Sequence, residues 1–414
     1  MTRVLYIVDE AYPTTSANGR IVYRIIDELI KHPDISVTIL ARAKTEEQLQ
    51  QTEYHGCRII HTPNIYATAA EQLNLRLGKR KWLRYILNPR TIYYRLSGES
   101  NYYMAEAKLW IKRHLNVFDV IVANSMPFYP LEIASKFGDV KPVVLYKMEP
   151  VAHYVHHGDF EQGKQTEEAW DNSASAIIME GLIHKFYRQY ASKENLSKTT
   201  IAGFPCIIKR EQREVEHRLP KNKINLVYVG KFYYQKRDPR YLFALMDRLH
   251  EKGIQLTIAG GYYYSGLPTE VISKYFTNRI PYITYLGELP ADQADALLNE
   301  ADVLVHLGNS ISDQMPSKIL DYISSGKPIL NIYGIDDCPT LPYLEHYPLA
   351  MNIKDGTEIT DDLIARITQF ISQSKGKQIL FEQIETIYKE CTPEYVGQQF
   401  YEVIRSLVNN KTKL

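Results

Sequence analysis

The stretch RVLYIVDEAYPTTSANGRIVYRIIDELIKHPDISVTIL, residues 3–40, decides the fold. It opens on the apolar, partly β-branched run RVLYIV (3–8), which ends at Asp9. A loop carrying Gly19 follows. Ile21, Val22, Ile25, Ile26, Leu29 and Ile30 then recur at the spacing of one helix face, and Ser36 to Leu40 reads as a second strand. Strand, glycine-containing loop, helix and strand form a βαβ unit, which implies a parallel sheet. The pattern resumes with CRIIHT (57–62), FDVIVANS (118–125) and PVVLYK (142–147), with helical stretches from Asn101 to Leu115 and from Pro130 to Phe137.

The alternation restarts after about residue 205. NLVYVG (225–230), IQLTIAGG (254–261), ITYLGEL (283–289) and DVLVHLG (302–308) read as strands, and helical patterns lie between them at about 239–252, 268–276 and 290–300. The chain of 414 residues exceeds one average domain, so two open α/β sheets are predicted. The charged run KREQREVEHRLPKNK (209–223) reads as an exposed linker or an approach to the first strand of the second sheet. TPEYVGQQFYEVIRSL (392–407) reads as an amphipathic helix.

Composition narrows the function classes. Lys and Arg number 49 against 48 Asp and Glu, so no global basicity points to nucleic acid. Hydrophobic residues make up 45%, enough for two cores. The 32 Tyr suit carbohydrate-facing surfaces, because the ring packs while the hydroxyl bonds. A+T-biased codon usage explains them equally well. Cys57, Cys206, Cys338 and Cys391 are scattered without a CxxC pair, as in a reduced cytosolic protein. MTRVLYIVDEAYP reads as a strand rather than a signal peptide, and no run of about 18 apolar residues occurs. A cytoplasmic protein is expected.

Open α/β sheets bind ligands at the carboxyl ends of their strands. Three loops of the second half are therefore the candidates. VGKFYYQKRDP (229–239) places Lys231, Lys236 and Arg237 behind Gly230, a group of cations suited to a diphosphate leaving group; a solvated basic turn has the same composition. AGGYYYSG (259–266) has adjacent glycines that admit a ligand or simply a turn. GNSISDQMPSKILDYISSGKPIL (308–330) is the most informative. Its polar loop opens a helix after Pro316, with Ser317 and Lys318 in the first turn, where free N–H groups meet phosphate oxygens. Asp321 follows Lys318 by three residues on one face and is placed to accept from ribose hydroxyls. Asp313 lies in the loop, where the sugar would sit. Gly326 ends the helix and Pro328 starts a strand.

This order of elements resembles the retaining GT-B glycosyltransferases of family 4, over nearly the whole chain and most specifically in its second half. Gly230, Lys231 and Lys236 match that family's G-R-L-x-x-x-K-G loop, with Arg237 at its second glycine. Asp313 and Asp321 fall on its Glu-x7-Glu motif, and SKILDY (317–322) on its S-K-x-x-E-Y variant. YLGEL (285–289) resembles the stretch lining the base, making Leu289 a backbone contact. Gly19 resembles the glycine that faces the donor phosphates. The sequence departs from the family in three places: both acids are Asp, Lys231 stands for Arg, and Met148-Glu149 stand where His-Asp is usual.

The resemblance implies two Rossmann-like domains facing across a cleft. Residues 1–205 form the acceptor side, 206–388 hold the nucleotide-sugar, and 389–414 cross back to the first domain. It implies transfer from a UDP- or GDP-type nucleotide-diphosphate sugar to a glycan or lipid-linked acceptor with retention, in surface polysaccharide synthesis, without a metal or other cofactor. Lys231, Lys236 and Arg237 would meet the departing diphosphate, Asp313 the sugar and Asp321 the ribose. Two rivals share the fold: a non-catalytic subunit supporting a partner transferase, and a nucleotide-sugar epimerase.

The stretch 73–95 holds Arg76, Lys79, Arg80, Lys81, Arg84, Arg90 and Arg95 with Trp82 and Tyr85 interleaved and no acid. Such a segment suits an anionic membrane surface on the cytoplasmic face. It equally suits an anionic glycan, a protein partner or plain solvent. His153, His156 and His157 are the only clustered imidazoles, too loosely placed to predict a metal site.

Overall fold

The computed structural model describes residues 1–14, 16–62, 102–156, 158–209, 219–262, 266–277 and 280–411. The basic stretch 73–95, His157 and most of the charged run 209–223 lie outside them. The chain forms two compact units, one of Met1–Pro205 with Pro393–Leu414, the other of Cys206–Thr392.

The first unit is built on an eight-stranded sheet in the order β3-β4-β2-β1-β5-β6-β7-β8. Its strands are β1 (Thr2–Glu10), β2 (Ile35–Arg42), β3 (Glu53–Tyr54), β4 (Cys57–His61), β5 (Val120–Asn124), β6 (Val143–Lys147), β7 (Ala176–Met179) and β8 (Thr199–Ile201). All pair in parallel except β3, which turns back on β4. β1 and β5 are central and buried on both faces, hence their unbroken apolar runs. The helix Ala17–Ile30 crosses from β1 to β2 with Ile21, Val22, Ile25, Ile26 and Leu29 buried. Ser16 starts this helix, its Oγ accepting from the Gly19 amide at 3.0 Å.

The helix Pro393–Lys411 completes this unit. Val396, Phe400 and Ile404 are wholly buried, and burying a side chain of that size contributes roughly 1.5–3 kcal/mol. Phe400 meets Tyr146 edge-on at 5.1 Å, and Tyr401 stacks on His32 at 3.7 Å. Gly397 lets the helix approach Ala17–Ile30, since a Cβ there would lie 2.2 Å from Glu28 Cβ.

The second unit holds a six-stranded, wholly parallel sheet in the order β11-β10-β9-β12-β13-β14. These strands are β9 (Ile224–Val229), β10 (Ile254–Ala259), β11 (Ile283–Tyr285), β12 (Val303–Leu307), β13 (Ile329–Tyr333) and β14 (Ala350–Lys354). β11 ends at Tyr285 rather than running on to Leu289, because Gly287 turns the chain with φ 72°. The helical pattern at 268–276 is one short α-helix, Thr269–Ile272, that widens into a π-turn over Ser273–Thr277. Helices Arg240–Leu249 and Asp361–Ser374 bury Leu242, Leu245, Leu249, Ile364, Ile367 and Ile371 in the core of the second sheet. No described helix is long and apolar enough to cross a membrane.

Candidate functional site

In the second sheet β9 lies between β10 and β12, so connections leave it in opposite directions. That is the switch point at which open α/β sheets leave a crevice for ligands. The loop after β9 begins with Gly230, whose amide donates to the Ala259 carbonyl at 2.9 Å. Phe232 anchors it, fully buried and stacked on Tyr228 at 4.5 Å. A tight turn follows. The amides of Lys236 and Arg237 both donate to the Tyr233 carbonyl, at 3.2 and 2.7 Å, with Gln235 at φ 63° on its tip. Lys231 therefore stands before the turn, and Lys236 and Arg237 stand after it.

The loop after β12 is sewn to that turn. The Ser310 amide donates to the Lys236 carbonyl at 2.8 Å, and Lys236 Nζ donates to Gln314 Oε1. Arg237 puts Nε and Nη2 on Asn309 Oδ1, at 3.2 and 2.8 Å. Asn309 is only 1% exposed, and its Nδ2 holds the Gln314 carbonyl at 3.0 Å. Two cations are thus fixed against the segment that carries Asp313. Lys231 instead pairs with Glu288 at 3.2 Å, and both side chains are well exposed. Such a surface pair is worth at most about 1 kcal/mol, so Lys231 is readily released to another anion.

Glycine is required where these loops meet. Gly260 has φ 146°, and a Cβ on it would lie 1.7 Å from the Gly230 carbonyl oxygen. Its amide donates to the Gly287 carbonyl at 2.7 Å, which ties the loop before Leu289 to the loop after β10. Leu289 itself is half-buried.

The helix Lys318–Ser324 follows the β12 loop, with Ser317 at its N-cap position. Lys318 Nζ meets Asp321 at 3.3 Å on the partly open face. Ile319, Leu320, Tyr322 and Ile323 fill the other face. The amides of Ile319 and Leu320 bond back to Pro316 and Ser317, leaving those of Ser317 and Lys318 at the open end of the helix. Tyr322 is buried and brackets the end of β9. Its hydroxyl accepts from the Val229 amide at 2.9 Å and donates to the Val229 carbonyl at 3.3 Å. His306 lies beneath, Nδ1 against Asn331 Oδ1 at 2.8 Å. Burial pushes its pKa down to about 3, with the Arg237 charge acting in the same direction, so it stays neutral.

Asn309, Gln314, Tyr322 and Glu288 escaped the sequence reading. Each sits in a stretch already singled out, but which polar residue of a loop grips which cation is a tertiary fact.

In the first unit, Gly19 lies in the first turn of its helix, and a Cβ there would fall 1.8 Å from Thr14 Oγ1. His156 Nε2 pairs with Thr166 Oγ1 at 2.8 Å, while the His153 ring packs edge-on against Phe160 at 5.1 Å. The sequence reading did not anticipate Lys147. It ends β6 and is wholly buried, with Nζ on Glu167 at 2.6 Å and Asp171 at 2.7 Å. Tyr187 and Tyr190 donate to the same two acids, and Glu167 also accepts from the Ala152 amide at 3.0 Å. The cluster pins the segment after β6, which contains Met148 and Glu149, onto the helix Phe160–Ser173.

Residues 223–337, within the second unit, match the family described as Glycosyl transferases group 1. The fold of the chain is GT-B: an α/β chain with two parallel-sheet units that aligns end to end with solved GT-B glycosyltransferases. It is similar to the lipopolysaccharide outer core galactosyltransferase WaaB, with 14% identity, 98% of this chain and 99% of that one covered, and TM-score 0.58. It is similar to the sucrose-phosphate synthase of Thermosynechococcus elongatus, with 13% identity, 99% and 100% covered, and TM-score 0.66. It is also similar to Anabaena HepE in complex with UDP and glucose, with 12% identity, 98% and 100% covered, and TM-score 0.62. No curated protein sequence matches the chain.

Proposed function

We propose that this chain transfers a sugar, with retention, from a UDP-type nucleotide-diphosphate sugar to a glycan or lipid-linked acceptor. The observation that carries the reading is the cation pair Lys236 and Arg237, held on the Asn309–Gln314 loop beside Asp313 at the switch point of the second sheet. Donors fixed in place before reaction stabilise charge that grows on a leaving diphosphate without further reorganisation. In this reading Gly230, Ser317 and Lys318 bound the phosphates, Lys231 exchanges Glu288 for them, Asp321 takes the ribose, and the backbone near Leu289 faces the base. The cationic side chains do the work a metal would otherwise do. UDP is favoured over GDP because a similarly folded protein, HepE, forms crystals in complex with UDP and with UDP-glucose.

Calorimetric titration with UDP, GDP and ADP tests the donor. A preference for GDP or ADP, or no binding, would sink it. Proton NMR of the first-formed product tests retention, which an inverted anomeric signal would refute. The role in surface polysaccharide synthesis belongs to the same proposal, with residues 73–95 resting on the cytoplasmic face of an anionic membrane. Phosphatidylglycerol vesicles should then pull the protein down at low salt, less so after Lys79, Arg80, Lys81 and Arg84 are replaced by Glu, at ~1 kcal/mol per charge. Failure of the unaltered protein to co-sediment would exclude the membrane.

A further inference from the structure

Arg237, half-buried in the loop after β9, is held without a counter-charge. Asn309 Oδ1 accepts from its Nε at 3.2 Å and its Nη2 at 2.8 Å, two of the five N–H bonds of a guanidinium. The other groups set against it are uncharged as well. Burial pushes the Tyr228 phenol up to about 12, with Arg237 pulling the other way. His306, pushed down to about 3 by burial, stays neutral. The centre of the Tyr233 ring lies 6.0 Å from the guanidinium carbon. Among the described residues no carboxylate pairs with Arg237.

Three carboxylates of the neighbouring loops are spent on other cations. Asp238, the next residue in the chain, takes Arg240 through Nε at 3.0 Å and Nη2 at 2.9 Å. Glu288 takes Lys231 at 3.2 Å, and Asp321 takes Lys318 at 3.3 Å. An arginine keeps its charge at any physiological pH. A partly buried charge without a partner is costly until an anion supplies one. We propose that Asn309 is a positioning residue that orients Arg237 without neutralising it, so that a diphosphate rather than a side chain completes the ion pair. The proposal deepens the donor reading and rests on it for the identity of the nucleotide.

The amide at position 309 decides the matter. A carboxylate there would offer Arg237 an oxygen in the same place and form the charged pair that a guanidinium prefers. The loop would then meet an incoming diphosphate with one positive charge fewer. Asn309 is built to hold, not to touch ligand. It is 1% exposed, its Nδ2 donates to the Gln314 carbonyl at 3.0 Å, and its own carbonyl accepts from Cys338 Sγ at 3.8 Å. Gly308 beside it admits that sulfur, since a Cβ there would lie 2.7 Å from it. Arg237 stands where the G-R-L-x-x-x-K-G pattern has glycine, so this grip is not one that the motif accounts for.

The probes are inorganic pyrophosphate and UDP, titrated calorimetrically into the full chain, with melting temperature as the check on folding. Asn309→Asp should weaken both by a similar factor, about ten- to a hundredfold, the worth of one charge-assisted bond. The diphosphate is what the two probes share. A loop that merely lost its structure would lose UDP far more than pyrophosphate, because contacts to ribose and base would go too. Asn309→Ala carries the test if the Asp variant does not fold. It should weaken both probes in the unaltered chain and change little once Arg237 is already Ala, because its effect passes through that side chain. Full affinity in Asn309→Asp, a loss confined to UDP, or additive losses in Asn309→Ala with Arg237→Ala overturns the proposal. If pyrophosphate binds in this Asn309-dependent way and UDP does not bind, the donor reading falls and the positioning role stands. If neither binds the unaltered chain, both fall.

Discussion

Replacing Lys147 by Met should destabilise the first unit severely, and more so at alkaline pH. Lys147 is wholly buried between Glu167 and Asp171, which are themselves at most 1% exposed. Burial opposes its charge, but two carboxylates outweigh that and raise its pKa. Two acids share one ammonium, so the balance differs for Asp171: burial dominates over Lys147 and pushes its pKa up to about 6. Removing the ammonium strands two buried acids, and breaking a buried pair in this way typically costs about 3–5 kcal/mol. The sign of the pH effect follows. An acid whose folded pKa lies above its unfolded value of about 3.9 carries more protons in the folded state between the two, so stability falls as pH rises through that window. Without Lys147 the Asp171 pKa rises further and the window extends upward, at up to about 1.4 kcal/mol per pH unit for one proton. Urea unfolding followed by tryptophan fluorescence isolates this unit, because Trp82, Trp110 and Trp170 all precede residue 205. Lys147→Met should lose more stability at pH 8 than at pH 5, and the further changes Glu167→Gln and Asp171→Asn should recover much of it. A penalty below about 1 kcal/mol, or one independent of pH, would refute the reasoning.

The proposed donor site gives four more expectations. Lys236→Ala should lower turnover by ~10²–10³ while leaving the melting temperature nearly unchanged, and normal turnover would move the role to Arg237. Asp321→Asn should raise the donor KM roughly ten- to a hundredfold with little change in kcat, because a ribose bond is made alike in ground and transition states. Asp313→Asn should lower kcat instead, and identical kinetic patterns would erase the division of labour. Gly260→Ala should disrupt UDP binding in calorimetry through displacement of the Gly230 carbonyl; unaltered affinity would show that the loops do not depend on that close approach.

Much of the architecture was legible because parallel strands buried on both faces must be continuously apolar. β1, β5, β9, β10 and β12 announce themselves as such runs, and Gly326 with Pro328 marks the turn into β13. β8, three residues long with Ile201 exposed, carries no such signal. The helix Phe160–Ser173 was missed for a different reason. Its buried positions are Gly163, Glu167, Trp170 and Asp171, so a single apolar ring beside two acids and a glycine leaves no apolar stripe. The same physics hid Lys147, which reads in sequence as a strand's polar end. At the proposed donor site, Lys231, Lys236, Arg237, Lys318 and Asp321 were visible as charges, whereas the partners Asn309, Gln314 and Glu288 were fixed only by loops meeting in space.

The second unit is an insertion within the first, since the chain leaves the first unit after Pro205 and re-enters it at Pro393. The amides of Cys206 and Ile207 both donate to the Cys391 carbonyl, at 3.0 and 2.9 Å, so the two ends of this excursion are clasped together. During synthesis the order of completion is therefore inverted. The ribosome delivers residues 1–205 first, yet Val396, Phe400 and Ile404, which fill that unit's core, emerge only after the whole second unit has been made. Until then the places those three side chains fill in the first unit stay empty.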